Sequence, residues 1–328
     1  MRIGVLGLGR IGATHARNLL GLASVDAVVG HDPAGAGDEL VAAGLRLVAS
    51  GDELLAGVDG VVICTPTANH PDDVRAAADL GLPIFCEKPI SLELATTDAT
   101  LDHVAAAGVE LQVGFQRRFE PGFVEMRRLI ESGALGDLYV IRAASHDFEP
   151  PHESYLPKAG SIFRDMHIHD FDAIRWLSGR EVVDVYARGS VLVDEMFARH
   201  NDVDTTAAVL TLEGGALAVL TGARDDALGY DHRTEVFGSK DSVIAGLNAH
   251  TPLRSVDADG PAMADPYPSF PVRFGPAYLA EMEAFVAVVA GEGPNRSPGI
   301  SAREALRLAI AADRSLAEGR AVAVAEIV

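Results

Sequence analysis

The sequence predicts a two-domain α/β protein: a doubly wound parallel sheet, then an α+β domain built on a large, mostly antiparallel open sheet. Three observations predict it. Short apolar runs alternate with helical patterns over the first third of the chain. A Gly-x-Gly-x-x-Gly loop, Gly7-Leu8-Gly9-Arg10-Ile11-Gly12, joins the first run to the first helix. After about Phe115 the runs lengthen and are separated by turns rather than by helices. The length agrees, since 328 residues exceed one typical domain and give two an ample core.

In the first region, strand-like runs fall at about 2–6, 25–31, 45–48, 60–64, 83–86 and 110–114. Helical stretches lie between them at about 11–21, 35–43, 70–80 and 93–107. Alternating βα units of this kind make a parallel sheet covered on both faces. Its ligand crevice lies beyond the carboxyl ends of the strands. A helix at about 119–132 ends at Gly133, and strands follow at about 138–146, 182–193, 205–212, 216–224, 232–238 and 242–245. Glu213-Gly214-Gly215 and Ser239-Lys240-Asp241 supply turn signals. A single helix, from Asp165 to Leu177, interrupts them. The stretch 257–276 is rich in Pro, Gly and Asp and reads as a loop, a candidate for reaching a neighbouring subunit. Helices at about 276–290 and 301–318 and a short strand within 321–325 close the chain. The expected division is a dinucleotide-binding Rossmann domain at 1–118 and a substrate-binding and oligomerisation domain at 119–328.

Charge and composition exclude several classes. The net charge of −20 argues against nucleic acid or an anionic membrane as partner, because both need a basic surface. A pyrophosphate would have to be held by local backbone N–H groups and not by the overall field. Cys64 and Cys86 each end an apolar run, which predicts burial at the ends of neighbouring strands. Two cysteines give neither a disulfide framework nor a metal spacing, which suits a reducing cytoplasm. Met1–Leu6 reads as a strand entering the glycine loop, without the apolar core of a signal peptide. No apolar run is long enough to span a bilayer. A soluble, cytoplasmic protein is the expectation.

The glycine loop has the context that a lone motif lacks: a strand before it, a helix after it and an acidic residue ending the second strand. Gly7 permits the tight turn, Gly9 lets the backbone approach a pyrophosphate, and Gly12 allows close helix–strand packing. The helix N-terminus offers oriented N–H groups to the phosphates. Arg10 and Ile11 join the candidate contacts, although Arg10 could equally face solvent. Asp32, about 20 residues after Gly12, would accept from a ribose 2′-hydroxyl and repel a 2′-phosphate, favouring NAD over NADP. Thr65 and Asn69, after the fourth strand, are either cofactor contacts or turn and capping residues. Glu87-Lys88-Pro89 follows the fifth strand at the same edge, which adds Glu87 and Lys88 to the cofactor set.

The chemistry is sought in Ile162-Phe163-Arg164-Asp165-Met166-His167-Ile168-His169-Asp170-Phe171-Asp172. If this stretch is one helix, Asp165 and His169 share a face one turn apart. His169 titrates near neutrality and suits a general base, with Asp165 fixing its tautomer and stabilising the imidazolium. Lys88, kept out of the helical region by the following Pro89, could hold the reacting oxygen. The bland alternative is that Asp165 caps the helix and His169 packs between domains. His167 points to the other side, and Asp170 and Asp172 are left as helix-dipole or substrate groups. Asp165, His167 and His169 do not place three ligands on one face, so no metal is expected. A nicotinamide site with a base and an oxygen-binding cation reads as an alcohol dehydrogenase.

Together the glycine loop, Glu87-Lys88-Pro89 and Asp165-x-x-x-His169 resemble the Gfo/Idh/MocA oxidoreductase family, and the likeness runs over nearly the whole chain. Within it, Val113–Phe119, the Phe163–Asp172 segment, Gly189–Asp194 and Gly229–Gly238 look most like the inositol 2-dehydrogenases. The resemblance implies that Lys88, Asp165 and His169 are catalytic. It implies that Arg117 and Tyr230, and more weakly Asp147, contact a polyol. It also implies NAD-dependent oxidation of a cyclic polyol, a cis Lys88–Pro89 bond, a homodimer or homotetramer, and a closing segment of about 298–328 packed on the nucleotide domain. Two departures stand near the expected polyol pocket. Gly160-Ser161 replaces the usual Gly-Gly, and His146 stands where many relatives have Arg. They weaken the case for myo-inositol in particular and leave scyllo-inositol or an aldose open.

Overall fold

The computed structural model describes residues 1–328, which divide into two compact units. The first comprises Met1–Phe119 and Pro276–Arg303. Its six strands are β1 (Arg2–Leu6), β2 (Ala27–His31), β3 (Arg46–Leu47), β4 (Gly60–Ile63), β5 (Ile84–Cys86) and β6 (Leu111–Val113). All pair in parallel, in the order β3-β2-β1-β4-β5-β6. The order reverses between β1 and β4, which defines the switch point where such sheets bind ligands. Ile3, Val5, Val62 and Phe85 are fully buried, as expected of strands covered on both faces. Helix Arg10–Leu20 contributes Ala16 and Leu19 to that core.

Met282, Phe285 and Val286 of helix Gly275–Val289 complete the same core. The return to the first unit is therefore made by 276–303, ahead of the expected 298–328. Residues 304–328 belong to the second unit, where Val322–Ala323 adds an edge strand. The physical reason is the apolar stripe of helix Gly275–Val289, which seals the first sheet.

The second unit comprises Glu120–Gly275 and Glu304–Val328. Its strands are β7 (Leu138–His146), β8 (Val182–Ser190), β9 (Thr205–Leu212), β10 (Leu217–Ala223), β11 (Asp231–Gly238), β12 (Ser242–Ala245) and β13 (Val322–Ala323). They form one sheet in the order β12-β11-β7-β10-β9-β8-β13. Every junction is antiparallel except β7–β10, which is parallel. Burial alternates along β7 to β10, the signature of a sheet with one covered face. Helices Pro121–Glu131 and Ile168–Ser178 pack together on the covered side.

One expected helix proves to be two. Ile162–Asp165 and Ile168–Ser178 are separated at Met166 and His167. Short helices at Gly51–Leu55, Met196–Arg199 and Phe270–Arg273 were not legible, because four or five residues are too few to show a helical period. Cys86 is buried as expected, but Cys64 is only partly so. No helix is long and apolar enough to cross a membrane.

Candidate active site

The first unit carries a cradle made mostly of backbone. Gly7 follows β1 with φ +85, in the left-handed region open to glycine. A Cβ there would sit 2.6 Å from the Cys64 carbonyl oxygen, and one on Gly12 would sit 1.9 Å from that of Gly7. Packing therefore fixes both glycines, Gly7 against the end of β4 and Gly12 within the loop. Gly9 differs: a Cβ there would meet nothing within 4 Å. The space beside Gly9, at the start of helix Arg10–Leu20, is open for a phosphate to approach the first N–H groups. The helix opens with no acidic residue in its first turn to compete with an anion. The residues present thus fit a dinucleotide.

Asp32 directly follows β2, with two tasks already in hand. One carboxylate oxygen accepts from Leu8 N at 2.7 Å, and the other from Ala34 N at 2.8 Å. It ties the glycine loop to the second strand and shapes the turn at Pro33. Each oxygen keeps acceptor capacity for a ribose hydroxyl.

At the end of β4, Thr65 and Asn69 part ways. Thr65 donates its hydroxyl to Asp73 at 2.5 Å, whereas Asn69 is exposed and its side chain caps nothing. Between them and the Lys88 loop stands a residue the sequence reading passed over. His70 is buried, with Nε2 2.7 Å from the Thr65 carbonyl oxygen and Nδ1 2.8 Å from that of Pro89. Burial lowers its pKa, and the hydrogen bonds to the two carbonyls oppose that shift. The ring braces the β4 exit against the loop that carries Lys88.

Lys88 is half-buried, and the Lys88–Pro89 peptide is cis. Glu87 is anchored by His15, whose Nε2 lies 2.7 Å from Oε1, and its Oε2 accepts from Lys88 N at 3.2 Å. Beneath it Glu281 is fully buried, and burial first, then the Glu87 charge, push its carboxyl well above the usual range. Arg117 is buried in the short helical turn Gln116–Phe119 that ends this part of the unit. Arg10 is exposed and Ile11 partly so.

The second unit gathers charged side chains. Helix Ile162–Asp165 is capped by Ser161, whose hydroxyl accepts from Arg164 N, and Asp202 accepts from Ile162 N at 3.0 Å. Gly160 keeps the left-handed φ of +87, so only it needs to be glycine, and Ser161 instead supplies a cap. At the end of this helix, Asp165 accepts from the Tyr155 hydroxyl at 2.9 Å and pairs with Arg224 at 2.9 Å.

His169 lies in the first turn of the next helix, with its backbone N bonded to the Met166 carbonyl and not to that of Asp165. Asp165 and His169 are therefore placed by two successive helices, where the sequence suggested one face of a single helix. His167 is buried behind them, with Nδ1 2.7 Å from Asp170 and Nε2 2.7 Å from the Thr206 hydroxyl. Both ring nitrogens being engaged in the core, it is turned away from any pocket. Asp172 is buried as well.

Asp147 follows β7, where it pairs with Arg224 at 3.1 Å. Tyr230 is nearly buried, stacked on His232 at 4.3 Å between ring centres. His146 Nδ1 lies 3.5 Å from Asp226, in a cluster that includes Asp231. Asp231 is meanwhile gripped by Arg233 at 2.9 Å.

A parallel sheet in the order 3-2-1-4-5-6, with a glycine loop open at Gly9, defines a dinucleotide-binding unit. Comparison with known proteins narrows the class. Residues 1–115 match the model of the oxidoreductase family with an NAD-binding Rossmann fold, and residues 123–244 match the GFO/IDH/MocA C-terminal domain. The chain is 38% identical to the myo-inositol 2-dehydrogenase of Thermotoga maritima, over 100% of both chains. A crystal structure of a myo-inositol dehydrogenase from Corynebacterium glutamicum shares 34% identity and covers 98% of each chain, with a TM-score of 0.89. The scyllo-inositol dehydrogenase from Lactobacillus casei, solved with bound NAD(H) and scyllo-inositol, shares 28% identity over 99% of each chain at a TM-score of 0.85. The chain belongs to the Gfo/Idh/MocA family, and it is an NAD-dependent oxidoreductase acting on a CH–OH group.

Proposed function

We propose that this protein oxidises a ring hydroxyl of a cyclic polyol, with myo-inositol going to its 2-keto product, inosose. The observation that carries this reading is the presence of Lys88, Asp165 and His169 in a chain similar from end to end to inositol dehydrogenases. NAD, when bound, accepts the hydride that leaves the carbinol carbon. Gly7, Gly9, Arg10, Ile11 and Gly12 would hold its pyrophosphate, Asp32 its ribose, and Thr65, Asn69, Glu87 and Lys88 the nicotinamide side.

His169 takes the hydroxyl proton, and Asp165 favours the resulting imidazolium by its charge. Lys88 binds the same oxygen and stabilises its developing alkoxide character. Arg117, Tyr230 and Asp147 are proposed to meet the remaining hydroxyls. One further property goes with this reading. Tyr139, Tyr186, Val209, Leu217 and Ile244 are exposed on strands of the second sheet, which supports a homodimer or homotetramer.

The test is nicotinamide reduction, followed by absorbance, across myo-inositol, scyllo-inositol, chiro-inositol and common aldoses, with NADP in parallel. Turnover on myo-inositol with NAD is the expected result. Turnover on scyllo-inositol or an aldose alone keeps the chemistry and replaces the substrate. NAD binding with no turnover on any of them would point to a sensor and overturn the reading.

A further inference from the structure

The second sheet breaks its antiparallel rule once, at β7–β10, and that junction has a consequence at its carboxyl end. Parallel strands leave a sheet at the same edge, so residues following them emerge side by side. The register pairs Ala223 with His146, which brings the next residues, Arg224 and Asp147, together. The Asp147 N–H bonds the Ala223 carbonyl at 2.9 Å, extending the ladder by one step. Arg224 N in turn bonds the Asp204 carbonyl at 2.8 Å. The backbone of Arg224 is thus pinned on both sides before its side chain is considered.

That side chain is 4% exposed and meets two carboxylates, Asp147 at 3.1 Å and Asp165 at 2.9 Å. Burial by itself would lower the guanidinium pKa, but Asp165, Asp147 and Asp202 outweigh it and raise it, so the cation is permanent. Asp165 belongs to the short helix Ile162–Asp165 and has no strand of its own to hold it. Arg224 holds one oxygen of its carboxylate by charge, and the Tyr155 hydroxyl donates to the other.

We infer that Arg224 is a positioning residue for the dehydrogenase reaction: with Asp147 as its counter-anchor, it clamps Asp165 in the ionised state and orientation that His169 requires. The inference rests on the role proposed above for His169. Asp147, proposed above to meet a substrate hydroxyl, also serves as the outer arm of the clamp through its Oδ2. A lysine could carry the charge but not the planar fork, so a lysine variant should recover only part of the function.

The experiment measures kcat, KM for the polyol and NAD affinity in Arg224→Met, Arg224→Lys, Asp147→Asn and His169→Ala, with circular dichroism as the check on folding. Arg224→Met is expected to lose about a hundredfold in kcat, within the range typical of general-base catalysis. NAD affinity and the far-ultraviolet spectrum should stay as in the native enzyme. Arg224→Lys should regain roughly tenfold of that loss, by the difference between a point charge and a fork. If Arg224→Met does not fold, Arg224→Lys and Asp147→Asn decide instead, each expected to lower kcat several-fold while leaving NAD affinity alone. An inactive His169→Ala beside native kcat in the folded Arg224 and Asp147 variants would overturn the clamp and leave the base in place. An active His169→Ala would overturn the base assignment, and the clamp's catalytic role with it.

Discussion

The two units build their candidate sites from different materials. In the first, the cradle is mostly backbone: three glycines, a helix start and a carboxylate that accepts one N–H of the loop and one of its own turn. Its parts lie within one βα unit and the end of the next strand. In the second, the site is side chain: Asp147, Tyr155, Asp165 and Arg224 come from four separate stretches and meet through charge. A backbone site tolerates surface change but no extra Cβ. A side-chain site tolerates backbone adjustment but no loss of a partner, since a buried unpaired charge is costly. We propose that the first governs whether the cofactor binds, and that the second, with Lys88 from the first, governs whether anything happens once it has.

Variants can sharpen or break that division. The largest effect is expected for Lys88→Met, where removing the cation that holds the reacting oxygen should lower kcat by about 10²–10⁴. NAD dissociation measured by fluorescence should change by less than kcat does, because the pyrophosphate cradle is untouched and Lys88 is one of several groups proposed on the nicotinamide side. A loss confined to NAD affinity would move Lys88 from the chemistry to the cofactor.

Asp32→Ala should come next. It removes the acceptor of Leu8 N–H and the proposed ribose contact, so NAD affinity should fall by roughly ten- to a hundredfold, the worth of a hydrogen bond to a charged group. The preference for NAD over NADP should shrink with it, read as the ratio of kcat/KM for the two. An unchanged ratio would leave Asp32 as a loop brace alone.

The smallest effect concerns Glu281, outside both sites. Its folded pKa is raised, so the carboxyl is protonated in the native state and ionised in the unfolded chain near neutrality. Its stability contribution is full below the unfolded pKa and declines as pH rises toward the folded one. Glu281→Gln, a mimic of the protonated form, should therefore match the native Tm at about pH 4.3, the unfolded value. It should exceed it by roughly 2–4 °C at mildly alkaline pH. A gap that narrows as pH rises would contradict the buried neutral carboxyl.

The difference in materials also decides how much could be read from sequence. The strands of the first sheet and the glycine loop are visible because each is written in consecutive residues with its own period. The long strands of the second sheet are visible for the same reason. The pairing of β7 with β10 is not, because register between strands far apart in sequence leaves no local trace. Arg224 was invisible as a consequence: it looks like a surface residue after a strand and is a buried cation only because of where Asp147 and Asp165 arrive. His70 and His15 escaped notice as lone histidines whose partners, Pro89 and Glu87, lie far along the chain. The break at Met166 and His167 was hidden by backbone that stays helical on both sides.

The most direct test of this division of labour is a crossed measurement on Gly9→Ala and His169→Ala, taking NAD dissociation and polyol turnover at saturating NAD on each. Gly9 adjoins open space, so its variant should fold normally and lose NAD affinity, yet approach native turnover once the cofactor saturates. His169→Ala should bind NAD as the native protein does and lose about a thousandfold in turnover, within the range for a general base. Two variants that fail alike, both in binding or both in turnover, would contradict the account.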